Sequence, residues 1–289
     1  MKIKTSLGDR CVDVFLYLFL TCFALITLYP LWYVVMASFS SSAKLMSHSG
    51  LLLLPLEPNL ESYKTIIGYS AIWTGYKNTL FLVFVGLAVN LVLTTLGAYF
   101  ISRRDVMFGR AITLMILFTM YFGGGLVPAY LNIKSLGLYD SLWSVILSSG
   151  ISTYNMIIMR SNFASIPRSL EEAAEIDGAN DFVILLRILL PVSSSIIAVM
   201  VLYYGVANRN AWFNAMIYLS DANKIPLQLV LRNILIQNDL NEFQGDDTTT
   251  VAETIKYAII VVSTLPILLF YPFLQKYFVK GVMIGSVKG

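Results

Sequence analysis

Two stretches of this chain hold side chains that could do chemistry. The first lies in the apolar run Ser194 to Leu219, where Tyr203, Tyr204, Asn208, Arg209, Asn210, Trp212, Asn214 and Tyr218 stand close together. Aromatic platforms beside amide donors and acceptors suit a ligand whose hydroxyls ring apolar faces. The same residues serve equally as interhelical hydrogen bonds and an interfacial aromatic belt. At helical spacing Tyr204, Asn208 and Ala211 or Trp212 share one face, and Asn210, Asn214 and Tyr218 another. Both sets are therefore not expected on one narrow path. The candidate path set is Tyr204, Asn208, Arg209, Trp212, Asn214 and Tyr218. Arg209 is the one cation placed inside a span, a functional position by default unless it snorkels, and one that favours an acidic ligand if it faces the path.

The second stretch is the polar segment Arg160 to Ser193. It reads Ser165-Ile166-Pro167-Arg168-Ser169-Leu170-Glu171-Glu172-Ala173-Ala174-Glu175-Ile176-Asp177-Gly178-Ala179-Asn180 and continues to Arg187-Ile188-Leu189-Leu190-Pro191. Pro167 and Ser169 open a helix, acidic residues suit its first turn, and Gly178 supplies the left-handed residue that ends it. A short helix, a turn and a second helix are expected. Ala173 and Ala174 leave a low face that another protein can approach closely, and Glu172 beside them can accept from a partner's arginine. This is the chemistry of docking, not of bond-making.

The elements that must position these residues are membrane helices. Of 289 residues 57% are hydrophobic and 13% charged, where a soluble domain is about a quarter charged. Six blocks approach the length that spans a bilayer core: Val14 to Ala37, Thr79 to Ile101, Ala111 to Leu131, Ser141 to Met159, Ser194 to Leu219 and Lys256 to Phe278. The third is interrupted by Gly123-Gly124-Gly125 and Pro128, tolerated where neighbouring helices or a cavity satisfy the backbone. The first run is too long for a signal h-region and lacks a small-residue cleavage pattern, so it reads as a retained helix. With the N-terminus inside, Lys2, Lys4, Arg10, Arg103, Arg104, Arg110, Arg160, Arg168, Arg187, Lys276, Lys280 and Lys288 fall on the cytoplasmic side. The longer outer loops receive Lys44, Lys64, Lys77, Lys134, Lys224, Arg232 and Lys256. That bias puts both termini and loop 160–193 inside.

Several functions are disfavoured. Two cysteines, Cys11 and Cys22, and one histidine, His48, cannot furnish a metal site or a disulfide framework. A net charge of +3 spread over loops gives no nucleic-acid surface. No phosphate-binding Gly-x-x-x-x-Gly-Lys-Ser/Thr loop, Gly-x-Ser-x-Gly elbow or His-Glu-x-x-His helix is present. A secondary, ion-coupled transporter would need acids or histidines in its central spans, and these have none.

The segment Glu172-Ala173-Ala174, Gly178, Ile188 and Leu190-Pro191 has the spacing Glu-Ala-Ala, three residues, Gly, nine residues, Ile, one residue, Leu-Pro. In this the chain resembles the transmembrane subunits of binding-protein-dependent ABC importers. The resemblance implies an all-α membrane protein of six transmembrane helices, of the type I ABC importer kind, with a cytoplasmic coupling helix. It makes Glu172, Ala173, Ala174, Gly178, Ile188, Leu190 and Pro191 the ATPase-coupling positions. The runs Tyr121 to Tyr130, Pro167 to Gly178 and Trp212 to Leu219 look like the carbohydrate branch, that is, the maltose-type second permease and especially the complex-polysaccharide and lipoprotein-associated group.

The resemblance further implies an oligosaccharide or polysaccharide fragment as substrate, with a permease for a non-sugar solute as the other reading. It implies a bacterial cell-membrane location, a second homologous permease, two cytoplasmic ATPase subunits carrying ATP and Mg, and an extracytoplasmic solute-binding protein. No cofactor is expected in this chain. The outer loop after Leu219, with Gln244, Gly245 and Asp246, is where the maltose-type second permease reaches into its binding protein; a flexible connection is equally compatible. The expected organisation is one polytopic domain, 1–289: a peripheral helix at 14–37, an external loop at 38–78 and a permease core at 79–278 containing the coupling loop 160–193.

Overall fold

Every regular element among the described residues of the computed structural model, 7–103, 105–236, 253–266 and 268, is helical. In hydrocarbon only a helix or a closed barrel satisfies its own backbone, and apolar blocks of this length without alternation choose the helix. The chain divides into two compact units.

One unit runs to Tyr69 and takes in Asn233–Pro266. Its first helix, α1 (Leu7–Ser38), has the length and hydropathy of a span over Arg10–Ser38, and its most apolar stretch buries no residue in the protein. Such a surface is what lipid covers. Ala37 at its end packs with Leu45 of α2 (Ser42–Ser47) and with Leu52. Helix α3 (Glu61–Gly68) is tied to the helix at 253–266 by a buried 2.7 Å hydrogen bond between the Ser62 and Thr254 hydroxyls. Two short helices thus occupy the segment expected to be an external loop at 38–78. The last expected span, Lys256 to Phe278, is described through Pro266 and at Leu268; its remainder lies outside the described residues.

The other unit, Ser70–Arg232, is organised around α4 (Ser70–Ser102). The helix begins well before the expected Thr79, because backbone hydrogen bonding does not stop where hydropathy falls. Its buried face is a four-residue series of small and polar side chains broken by one leucine: Asn78, Leu82, Gly86, Asn90, Thr94 and Ala98. Small residues let membrane helices approach closely and polar ones hydrogen-bond across the gap. Asn78 Nδ2 donates to the carbonyls of Asn223 and Ile225 at 2.8 and 3.1 Å, and Thr79 Oγ1 accepts the Leu227 amide at 2.9 Å.

Around this spine three spans are broken. Helices α5 (Gly109–Tyr121) and α6 (Leu126–Ser135) bend by 114° at the glycine run, where Gly125 takes φ +88°. Helices α7 (Leu142–Ser148) and α8 (Thr153–Ser165) bend by 53°. Ser141 to Met159 is therefore not the continuous span expected from its hydropathy: the Ser149 and Gly150 carbonyls leave the helix and accept from Asn90 Nδ2, both at 2.9 Å. Helix α9 (Arg168–Ile176) follows, then α10 (Asp181–Ile184), a π turn at Leu185–Leu189 and α11 (Leu190–Val192). Pro191 has no N–H and its ring crowds the carbonyl four residues back. The preceding turn widens, and Leu190 N donates to Leu185 O. The chain then turns by 86° into α12 (Ser194–Arg209). A break at Asn210-Ala211 leads to α13 (Trp212–Tyr218), so Ser194 to Leu219 is not one helix either. Helix α14 (Leu227–Ile236) lies in the segment expected to be the outer loop after Leu219.

Candidate functional site

The breaks after α7 and α12 converge. Ser149, Ser152 and Asn155 from one, and Asn208, Asn210 and Asn214 from the other, line an open cleft of 370 Å³, within the roughly 300–1,000 Å³ of small-molecule sites. Phe213 and Tyr204 add aromatic surface, and among the described residues no Asp, Glu, Lys or Arg lines it.

The cleft wall is fixed by a buried amide network. Asn90 Nδ2 gives both hydrogens to the two carbonyls after α7, which leaves its Oδ1 as the acceptor for Asn208 Nδ2 at 2.8 Å. That pattern determines the orientation of both amides. Asn90 has no solvent exposure and Asn208 5%. Gly86 makes room, since a Cβ there would stand 2.8 Å from Asn208 Nδ2. Tyr204, also buried, shares a 2.6 Å hydrogen bond with Thr94 Oγ1 and accepts the Ser152 amide at 3.0 Å. Its hydroxyl therefore holds the wall, while its ring lines it.

Of the expected path set, Tyr204, Asn208 and Asn214 reach this cleft; Arg209, Trp212 and Tyr218 do not line it. Arg209 Nη1 donates to Asn210 Oδ1 at 3.3 Å, the Arg232 guanidinium covers the Trp212 ring at 5.1 Å, and Tyr218 is buried. The two helical faces expected to exclude each other both contribute, because the break at Asn210-Ala211 turns Asn210 and Asn214 toward the side that carries Asn208. Asn90, Ser152 and Asn155 were not singled out in sequence. The four-residue series along α4 is the signal that points to Asn90.

Loop 160–193 forms a second candidate site. Gly178 has φ +81°, Ala179 N donates to Ala174 O, and Gly178 N donates to Glu175 O, the paired bonds of a Schellman end. Asn180 caps the next helix by accepting from Val183 N at 3.0 Å. Glu172, Ala173 and Gly178 are exposed, as docking positions should be; Ala174 is half-buried and packs against the core, so the two alanines face different ways. Ile188 and Leu190 are half-buried and Pro191 exposed at the widened turn.

The loop is held by a residue read from sequence as no more than an inside cation. Arg103, one residue past α4, reaches Glu171 at 2.6 Å, Glu175 at 3.3 Å, Asp181 at 3.4 Å and Asp105 at 3.5 Å. The Arg103 and Glu171 side chains are 16% and 14% exposed. Tyr99 OH donates to Asp181 Oδ1 at 2.9 Å and accepts from Arg103 Nη1 at 3.2 Å. Glu171, not Glu172, faces inward, and Glu172 is exposed. Gln244, Gly245 and Asp246 lie outside the described residues.

At the connection between α6 and α7, Asp140 closes a clasp. Its carboxylate accepts the Asp221 amide at 3.0 Å, the Lys224 ammonium at 2.9 Å and the Ser220 amide at 2.9 Å, which together hold its pKa at about 2 instead of 3.8. A depressed folded-state pKa contributes stability that is present above the ordinary value and is lost as pH falls through the folded one. The melting temperature of wild type relative to Asp140→Asn is therefore expected to stay constant from pH 8 to about 5 and to converge between about pH 4 and 2. A difference that does not change over that acid range would show that the clasp is not charge-dependent.

Among known proteins, the family described as binding-protein-dependent transport system inner membrane component matches residues 4–284. The polygalacturonan/rhamnogalacturonan transport system permease protein YtcP of Bacillus subtilis is 41% identical, over 97% of this chain and 99% of its own length. A crystal structure of a bacterial ABC transporter involved in the import of the acidic polysaccharide alginate contains a chain of 35% identity, matching with a TM-score of 0.90 over 96% of this chain and 100% of that one. A chain from a bacterial alginate ABC transporter in complex with an alginate pentasaccharide-bound periplasmic protein matches at a TM-score of 0.61 and 16% identity, over 92% and 93% of the two chains, and shares the fold.

Proposed function

The chain belongs to the family of binding-protein-dependent transport system inner membrane components, and on that premise we propose that the amide-lined cleft is its share of a translocation path for an oligosaccharide. As a permease subunit of an ABC importer for oligosaccharides or polysaccharide fragments, the chain is not an enzyme; ATP is hydrolysed on separate subunits. The observation that carries the path assignment is the convergence of two helix breaks on one cleft that no described charged residue lines. Irregular backbone at membrane depth is tolerated where it lines a cavity, and transporters place substrate at such discontinuities. Amides and an aromatic face, without a fixed ion pair, suit passage of a hydroxylated ring without trapping it.

The proposed assembly pairs this chain with a second, homologous permease, two cytoplasmic ATPase subunits that hold ATP and Mg, and an extracytoplasmic binding protein. Both termini and loop 160–193 face the cytoplasm, following the cation bias. Helix α9 then docks on the ATPase through Glu172, Ala173 and Gly178, while Arg103 fixes it to α4.

Asn214→Trp tests the path. Asn214 donates to Ser148 Oγ at 3.1 Å at the rim of the cleft, and an indole there would occupy much of the 370 Å³. The expected result is a complex with its full complement of subunits, verified by mass spectrometry, and oligosaccharide uptake reduced by at least about tenfold, as the loss of a positioned path implies. Uptake at the wild-type rate would remove the cleft from the path.

A further inference from the structure

Among the described residues, two buried side-chain oxygens that lack any hydrogen-bond partner bracket the docking segment. Asn162 Oδ1 stands near the end of α8, ahead of the segment, and Ser193 Oγ stands directly after α11, where the segment ends. Ser193 is 2% exposed, so bulk water does not compensate its hydroxyl. A buried hydroxyl without a partner costs free energy. Alanine would fit the same space without that cost.

The backbone at Ser193 shows why the hydroxyl is stranded. Its φ is −90° and its ψ 14°, whereas an α-helix has ψ near −42°, so one torsion stands roughly 55° from helical. The Ser193 amide still donates to Leu189 O at 2.9 Å, and its carbonyl accepts from Ile196 at 3.0 Å and Ile197 at 3.1 Å. A single off-helix residue thus joins two helical stretches across their 86° turn. The stretch before it already holds the π turn at Leu185–Leu189, a geometry frequent at functional sites. Pro191, having no N–H, leaves one carbonyl of that stretch short of a donor. A serine hydroxyl in a helix reaches carbonyls three or four residues back, so a more helical Ser193 would turn its hydroxyl toward an acceptor.

Both sides of this joint are gripped. On one side Arg103 ties Glu171, Glu175 and Asp181 to the end of α4. On the other, Leu189 and Met200, neither with any exposure, share one core cluster with Tyr204, whose ring lines the cleft. Displacement of α9 therefore reaches the cleft through packed side chains, with Ser193 as the joint between the segment and α12.

We infer that Ser193 is the pivot about which the docking segment turns during transport, its hydroxyl unpaired in this arrangement and hydrogen-bonded in the other. The inference rests on α9 docking on the ATPase, and its test separates the two.

The test measures the melting temperature of the purified complex, its subunits verified by mass spectrometry, with and without a non-hydrolysable ATP analogue. Ser193→Ala is compared with wild type, and the same substitution is repeated in a Glu172→Lys background. Alanine removes a cost from the arrangement with the stranded hydroxyl and removes a hydrogen bond from the other. Ser193→Ala should therefore raise the melting temperature in one nucleotide condition by roughly 2 °C or more and lower it in the other. A hydroxyl that is merely structural, or that holds a buried water, gives changes of one sign in both conditions. That result, or no change in either condition, overturns the pivot. In the Glu172→Lys background the opposite signs should disappear, because nucleotide binding no longer reaches the joint through α9. Opposite signs that persist there leave the pivot standing and overturn the docking of α9 through Glu172.

Discussion

Replacing Arg103 with alanine is expected to leave the permease inserted and assembled while lowering substrate-stimulated ATP hydrolysis and uptake by at least about tenfold. Arg103 joins the end of α4 to four carboxylates, and two of these, Glu171 and Glu175, belong to α9, the proposed ATPase-docking helix. Losing the guanidinium leaves Glu171, 14% exposed, without its 2.6 Å partner. Hydrogen bonds to charged groups contribute about 1.5–3 kcal/mol, and each 1.4 kcal/mol is tenfold in the population of the docked helix. Helix α4 packs against α8 and α12, which carry the cleft, so α9 moving free of α4 no longer moves the cleft. Arg103→Lys keeps the charge but cannot span several carboxylates with a planar fork, and should fall between the two. Basal ATP hydrolysis is the control, since it needs no transmitted motion. Wild-type uptake by Arg103→Ala would mean that the docking helix is positioned by its other contacts alone.

What the sequence could and could not disclose follows from how far apart the interacting residues lie. The docking segment is contiguous, so its spacing holds its geometry: Gly178 at φ +81° ends α9 where the sequence places the end. The glycine run from Gly123 to Gly125 is read as an interruption for the same reason, and α5 breaks there. The breaks after α7 and α12 carry no comparable mark. Window averaging passes over Ser149-Gly150 and Asn210-Ala211, and their cause lies elsewhere, in Asn90 and its neighbours. Arg103 looks like any cation that biases topology; its four carboxylates are identifiable once α4 and loop 160–193 are side by side. Polar residues in α4 were the missed signal. A four-residue series of small and amide side chains in an apolar helix specifies a packed face by its spacing alone.

Asn90→Leu tests that face, with an effect expected to rival that of Arg103→Ala. Leucine suits a membrane helix, so insertion should be unimpaired or improved. The packing is another matter. Asn90 has no exposure, and its removal leaves the Ser149 and Gly150 carbonyls without donors and the Asn208 amide without its acceptor. Each buried group left unpaired costs about 1–3 kcal/mol. The melting temperature of the purified complex should fall by roughly 5 °C or more. Uptake should fall with it, since Asn208 and the Ser149–Ser152 turn both line the cleft. The double variant Asn90→Leu with Asn208→Leu separates folding from function. Replacing both members of a hydrogen-bonded pair by apolar groups is far less costly than orphaning one, so part of the lost melting temperature should return. Uptake should not return, because the cleft has lost the acceptor that Asn208 presents. If the single variant melts and imports like wild type, the amide network is incidental and the breaks are held by packing; if the double variant recovers transport together with stability, Asn208 supports the cleft wall without meeting the substrate.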